Sequence, residues 1–249
     1  MLPSPGFHDR ISIIMKKVCI LTAAMALVAS LGTAFAGDIT GKITLKGTPP
    51  KEKDITPLKD DPNCGKFHPT MPTTRFYVVG AGGELADAIV YLQGVTGKST
   101  GASAAPAVLD QKSCEYVPQI FAVQTGQKMN IKNSDPVLHN VHTQPTVAGN
   151  KEDNKAQMPG GADLSFTFDK AEMFVKFKCD VHPWMFAWVS VFDHPYFAVS
   201  AKDGTFKIAN VPPGKYTLEV AHRKAGAAKQ EIEVKDGEAA KVELALEAK

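Results

Sequence analysis

The chain has 249 residues, 44% of them hydrophobic and 22% charged, with a formal net charge of +2. This length allows one large domain or two small ones. So even a charge balance, with no basic patch or stripe, argues against a nucleic-acid partner.

In chain order, the first feature is a leader. Met15-Lys16-Lys17 forms a basic start, Val18 to Leu31 is apolar, and Ala34-Phe35-Ala36 precedes Gly37 as a small-residue cleavage site. Residues 1–36 therefore read as a secretory signal peptide, and residues 1–14 as an over-extended start. Cys19 comes too early for a lipoprotein cysteine. Removing the leader leaves the remainder near neutral. No second apolar run of about 20 residues follows, so no transmembrane segment is expected in the mature chain. The expected location is the periplasm.

From Gly37 onward helical patterning is nearly absent. Short alternating runs bounded by Gly, Pro, Asn and Asp recur, which is the pattern of an all-β fold built from β-sandwiches. Strands are expected at 39–45, 88–92, 120–123, 128–132, 165–168, 174–179, 187–192, 206–208, 216–221, 230–234 and 241–246. The stretch 99–106 is small, polar and Pro-ended and reads as a linker. A second loop, 144–159, is polar and contains glycine.

Three cysteines follow the leader: Cys64, Cys114 and Cys179. An exported chain sits where disulfides persist. If Cys179 is a metal ligand, Cys64 and Cys114 are free to pair. A loop of that length is worth roughly 4 kcal/mol in the chain-entropy account. The plain alternative leaves both reduced and buried.

The richest stretch is Cys179-Asp-Val-His182-Pro-Trp-Met185. Taken singly, its members have bland readings: a buried Cys is a small hydrophobe, a lone His is usually structural, and a lone Met is usually core. Together they place a thiolate, an imidazole and a thioether in seven residues. Soft sulfur with nitrogen suits copper. Zinc rarely takes a thioether, and the haem-attachment motif Cys-x-x-Cys-His does not occur. In the preceding strand Val175, Phe177 and Cys179 share one face and Lys176 and Lys178 the other. A thiolate pointing into a core needs a compensating charge, which a metal cation supplies. A second nitrogen ligand is available in Leu138-His139-Asn140-Val141-His142. His139 and His142 lie three apart on a strand and point to opposite faces, so only one reaches the ion. Alternation alone leaves that choice open. A trigonal His2Cys site with a weak axial Met is the blue-copper electron-transfer constellation.

At this point the central segment resembles the cupredoxins. Residues 116–135 look like their opening strands, His139-Asn-Val-His-Thr like the segment bearing the first ligand, and Cys179-x2-His182-x2-Met185 like the ligand loop in the short form seen in amicyanin. The resemblance covers about 107–193. It implies a Greek-key domain in which His139, Cys179, His182 and Met185 bind one copper ion. The Asn after His139 favours that histidine over His142, and Asn140 would steady the ligand loops. It also implies that the edge of His182 is the exit for the electron, with Pro183, Trp184 and Phe186 as an apolar rim; the alternative for Trp184 is that it packs inward. His194 lies beyond this ligand set and reads as structural or interfacial.

The flanks resemble a different sandwich. Asp203-Gly-Thr-Phe-Lys-Ile-Ala-Asn-Val-Pro-Pro-Gly-Lys-Tyr-Thr-Leu-Glu-Val is similar to the carboxypeptidase regulatory-like, transthyretin-type domain. Its opening strands correspond to Ile39-Thr-Gly-Lys-Ile-Thr-Leu-Lys-Gly and Leu85-Ala-Asp-Ala-Ile-Val-Tyr-Leu. This implies a split domain, 37–104 plus 195–249, around a cupredoxin domain at 105–194. The combination is similar to exported proteins of the methylamine-utilisation or plastocyanin-like kind. Two consecutive domains after an irregular lead are the alternative.

The expected function is a periplasmic mononuclear blue-copper electron-transfer protein serving a redox partner such as a cytochrome or dehydrogenase. A copper store or chaperone is the alternative, disfavoured because the chain has no Met cluster. A scaffold with a vestigial copper site is disfavoured by the intact ligand set. An enzyme is not expected, since copper oxidases need an open coordination position or further coppers.

Overall fold

The structure, a computed structural model, describes residues 36–249. The leader's basic start, its apolar run and Cys19 lie outside the described residues. Among those residues no helix is long and apolar enough to cross a membrane. The elements are β1 (Gly37–Lys46), α1 (Thr56–Asp60), β2 (Ile89–Leu92), β3 (Ala107–Lys112), β4 (Glu115–Val117), β5 (Ile120–Gln124), β6 (Met129–Asn133), β7 (His139–Gln144), β8 (Asp153–Gln157), β9 (Leu164–Phe166), β10 (Glu172–Lys178), β11 (Phe186–Phe192), β12 (Phe197–Val199), β13 (Thr205–Val211), β14 (Gly214–His222), β15 (Gly226–Val234) and β16 (Ala240–Glu247).

These strands make four sheets that face each other in two pairs. One pair is the sheet β13-β1-β16 and the sheet β12-β2-β14-β15. Its core takes Ile39, Ile43 and Leu45 from β1, Val90 and Leu92 from β2, Phe206 and Ile208 from β13, and Leu218 and Val220 from β14. So strands from both sides of residues 104–192 share one apolar interior. The other pair is β5-β11-β10-β7-β8 and β4-β3-β6-β9. Phe177 is fully buried at its centre, with Phe121, Phe166 and Phe168 around it at ring distances of 6.0–6.5 Å. Burying an aromatic or aliphatic side chain of this size is worth about 1.5–3 kcal/mol.

Local chemistry explains several elements. Gly41 lies in β1 between β13 and β16, and a Cβ there would stand 1.9 Å from the Val242 carbonyl oxygen. Only glycine leaves room there for the Val242 backbone on one side and the Phe206 ring on the other. In β10 Val175 and Phe177 are buried while Lys176 and Lys178 are more open, as period two requires.

The segment between β1 and β2 builds no sheet of its own. It is held by isolated bridges, Asp54 to Thr73 and Val79 to Leu85 among them. The Glu52 carboxylate accepts from the Phe76 and Tyr77 backbone N–H groups at 3.1 and 2.7 Å and from the Thr74 hydroxyl. Helix α1 carries Pro in its first turn and buries Leu58. With Cys64 and Cys114, Leu58 forms a third small core, backed by Ile55, Phe67, Val137 and Trp184. Cys64 and Cys114 are disulfide-bonded, with Cα atoms 5.7 Å apart.

Two expected loops differ from expectation. Strand β8 falls inside the stretch read as the loop 144–159, and it pairs antiparallel with β7 from His139–Gln157 to Thr143–Asp153. Its residues are polar because it is an edge strand with only Gln157 buried, so it has no apolar alternation to read. The stretch 99–106, read as a linker, is docked. Ser99 Oγ donates to the Thr125 carbonyl at 2.7 Å, the Thr100 N–H donates to Gln124 Oε1 at 2.8 Å, and residues Gly101–Ser103 form a 3-10 turn.

Candidate metal centre

One end of the second sandwich collects the chemistry. His139 opens β7 and is fully buried. Its Nε2 lies 2.9 Å from Asp135 Oδ2, and its Nδ1 lies 2.9 Å from His182 Nδ1. A ring that donates its Nε2 proton to a carboxylate presents the Nδ1 lone pair on the other side, which fixes both tautomer and orientation for a metal. Asp135 is itself held, accepting from the Ser113 and Cys114 backbone N–H groups at 2.6 and 2.7 Å.

Cys179 follows β10 and is 2% exposed. Its Sγ lies 3.7 Å from His182 Nδ1 and 3.3 Å from Asn140 Oδ1. The loop closes on itself: the Cys179 N–H donates to the Met185 carbonyl at 3.0 Å and the Met185 N–H to the His182 carbonyl at 2.9 Å. The ligand atoms of His139, Cys179 and His182 all lie within 4.8 Å of one another. Met185 is 1% exposed and belongs to the same buried cluster as Cys179.

Burial alone pushes the Cys179 thiol up. Hydrogen bonds from His139, His182 and the backbone outweigh it and bring the thiol down to about 6, so the thiolate prevails at neutral pH. For His139, burial favours the neutral ring, but the Asp135 and Cys179 partners outweigh it and raise its pKa. A buried thiolate and two facing imidazoles are a cation site. Two nitrogens each about 2.0–2.1 Å from one ion, the zinc–imidazole length, stand roughly 3 Å apart, as His139 and His182 do. Thiolate and imidazole donors beside a buried thioether fit copper.

Asn140 ties the two ligand-bearing segments together. Its Oδ1 accepts from the Asp180 N–H at 2.6 Å and the Val181 N–H at 3.4 Å, and its Nδ2 donates to Asn154 Oδ1 at 2.6 Å. The buried Tyr116 hydroxyl donates to the Asn140 carbonyl at 2.6 Å. His142, the other candidate ligand, faces away from the cluster. Its ring pairs with Asp180 Oδ2 at 2.8 Å and Glu152 Oε1 at 2.5 Å. His194 is buried just past the end of β11 and belongs to none of the ligand clusters; its Nδ1 accepts from the Tyr196 N–H at 3.0 Å.

The surroundings of His182 differ from expectation. His182 as a residue is only 7% exposed. Trp184, partly buried, takes the inward alternative: it packs on His182 with centroids 5.2 Å apart, and its Nε1 donates to the Cys114 carbonyl at 3.1 Å. A ring nitrogen of His182 lies within 4.8 Å of both disulfide sulfurs. Neither this wall nor Asp135 is foreseen from the sequence. Asp135 stands in Asn-Ser-Asp-Pro, which reads as turn chemistry, and only its position four residues before His139 hints at more.

Residues 104–192 match the copper binding proteins of the plastocyanin/azurin family, and they are a copper-binding domain of that kind. Among solved structures, the chain is similar to the copper-containing nitrite reductase from Thermus scotoductus SA-01 at 17% identity and TM-score 0.32, over 36% of this chain and 23% of that one. The chain thus spans less than a quarter of that reductase. It is similar to a purple cupredoxin from Nitrosopumilus maritimus at 21% identity and TM-score 0.29, over 34% of this chain and 98% of that one. It is also similar to the oxidised state of a proline-to-alanine mutant of amicyanin at 23% identity and TM-score 0.32, over 41% of this chain and 97% of that one. No curated protein matches the chain.

Proposed function

We propose that this protein is an exported, mononuclear copper electron carrier, acting in the periplasm on a redox partner such as a cytochrome or dehydrogenase, and not an enzyme. One observation carries the reading: a low-pKa thiolate and two imidazoles converge in a buried pocket with a thioether in the same cluster. Bound copper supplies one-electron exchange between its two oxidation states. The chain does the rest. Asp135 orients His139, Asn140 fixes the backbone after Cys179, and Phe177 and its neighbours exclude water. A site held this firmly changes little between oxidation states, which favours fast electron exchange. The strands outside 104–192 read as a split transthyretin-like sandwich that frames the copper domain.

The test is an absorption spectrum with a redox titration. Copper-loaded, oxidised protein shows an intense visible thiolate-to-copper band that vanishes on reduction and returns on oxidation. A colourless protein after Cu(II) loading, with Cys179 reduced, overturns the reading. Tight Cu(I) binding without reversible colour would assign a copper store instead.

A further inference from the structure

We infer that the Cys64–Cys114 disulfide and Trp184 are positioning residues for the copper site, forming a wall that clamps His182 in its ligating position and closes its edge to water and competing ligands. The inference rests on the copper reading above. Its geometry is read from protein contacts alone: Trp184 on the His182 ring and the disulfide sulfurs within 4.8 Å of a His182 ring nitrogen.

The wall is built from far-apart chain. Cys64 comes from the strandless segment after α1, Cys114 from the β3–β4 turn, and Trp184 from the ligand loop. All three meet in the third core, where both cysteines are fully buried. The anchor points are numerous. Ser113 and Cys114 both hold positive φ, and their N–H groups are fixed by Asp135, the residue that also orients His139. His68 Nε2 lies 2.8 Å from the Ser113 carbonyl, and Lys59 Nζ donates to the His68 carbonyl at 2.6 Å. Gly65 packs so closely on α1 that a Cβ would stand 2.0 Å from the Lys59 carbonyl oxygen. The wall thus joins both histidine ligands: Asp135 carries it to His139, and the disulfide and indole carry it to His182.

Two consequences follow. His182 cannot swing out of the site without displacing Trp184 from the Cys114 carbonyl. A partner or a chelator meets the strandless segment before it meets the His182 ring. Both differ from an open histidine edge.

The experiment uses the full chain in three forms: wild type, Cys64→Ser/Cys114→Ser, and Trp184→Ala. Metal-free protein is treated with diethylpyrocarbonate and modification of His182 is followed by mass spectrometry. Copper-loaded, reduced protein is challenged with a water-soluble Cu(I) chelator, and the visible band and potential are recorded for the oxidised form. In the wild type His182 resists modification. In both variants it reacts faster, copper is lost to the chelator faster and its affinity falls by about 10–100-fold, as for other outer partners of metal ligands, and the band and potential shift. Equal His182 reactivity in all three forms overturns the wall. If the double variant does not fold, Trp184→Ala, which keeps the disulfide, decides by the same rates. If wild type takes up no copper, the copper reading fails, while the diethylpyrocarbonate comparison still judges the wall.

Discussion

The two sandwiches are both all-β, but their interiors differ in kind. The one formed by β1, β2 and β12–β16 has a core of aliphatic and aromatic side chains. The one at residues 104–192 holds ten of the thirteen buried polar residues among the described residues, Asp135, His139, Asn140 and His182 included. Buried polar groups are costly unless partnered, and here each of these four has a partner. The lesson is that stability and chemistry have been separated. One sandwich spends its interior on packing, and the other gives up packing at one end to hold a ligand set.

Substitutions can break or sharpen that contrast. The largest effect belongs to the ligands: Cys179→Ser abolishes the visible band, and His139→Ala destroys the site, both read from spectra after copper loading. Leu218→Ala, in the flanking core, costs about 2–5 kcal/mol in a denaturant melt and leaves the band in place. If it also removes the band, the two interiors are coupled and the separation is wrong. Asn140→Ala removes the acceptor for the Asp180 and Val181 N–H groups and costs about 1–3 kcal/mol, with a shifted band because the Cys179 backbone loosens.

The smallest effect is at His142. His142→Ala leaves copper binding intact and changes stability by less than about 1 kcal/mol. Its pKa is raised, first by the hydrogen bond to Glu152 and then by Asp180, with burial opposing. A raised imidazole adds stability in full below its unfolded value and loses it as pH rises through its folded value. The wild type therefore loses a small, salt-screened increment on going to alkaline pH that His142→Ala lacks. Urea midpoints across that range check the sign.

Much of this contrast was legible in the sequence, because it rests on local chemistry. The Val175/Phe177/Cys179 alternation is a period-two signal, and Cys179, His182 and Met185 lie in one loop. His139 against His142 was a matter of face: alternation poses the choice, the Asn after His139 tips it by resemblance, and the partners of each ring separate them in the structure. Strand β8 was not legible because an edge strand that buries only Gln157 has no apolar pattern. The wall over His182 was not legible either. It joins Cys64 to Trp184 across more than a hundred residues, and no period or spacing carries such a contact.

The topology also bears on how the molecule is made. Strand β1 lies beside β16, with Ile39 opposite Ala240 in parallel register. A chain that emerges in order from β1 onward cannot complete that sheet until residues 240–247 have followed. Residues 104–192 close their own sheets without waiting for β16. Contacts close in sequence form sooner than distant ones, and domains fold as units during synthesis. The order of assembly is thus written into the strand order: residues 104–192 can take shape while β1 still waits, and β16, arriving after them, shuts the frame around a centre already built.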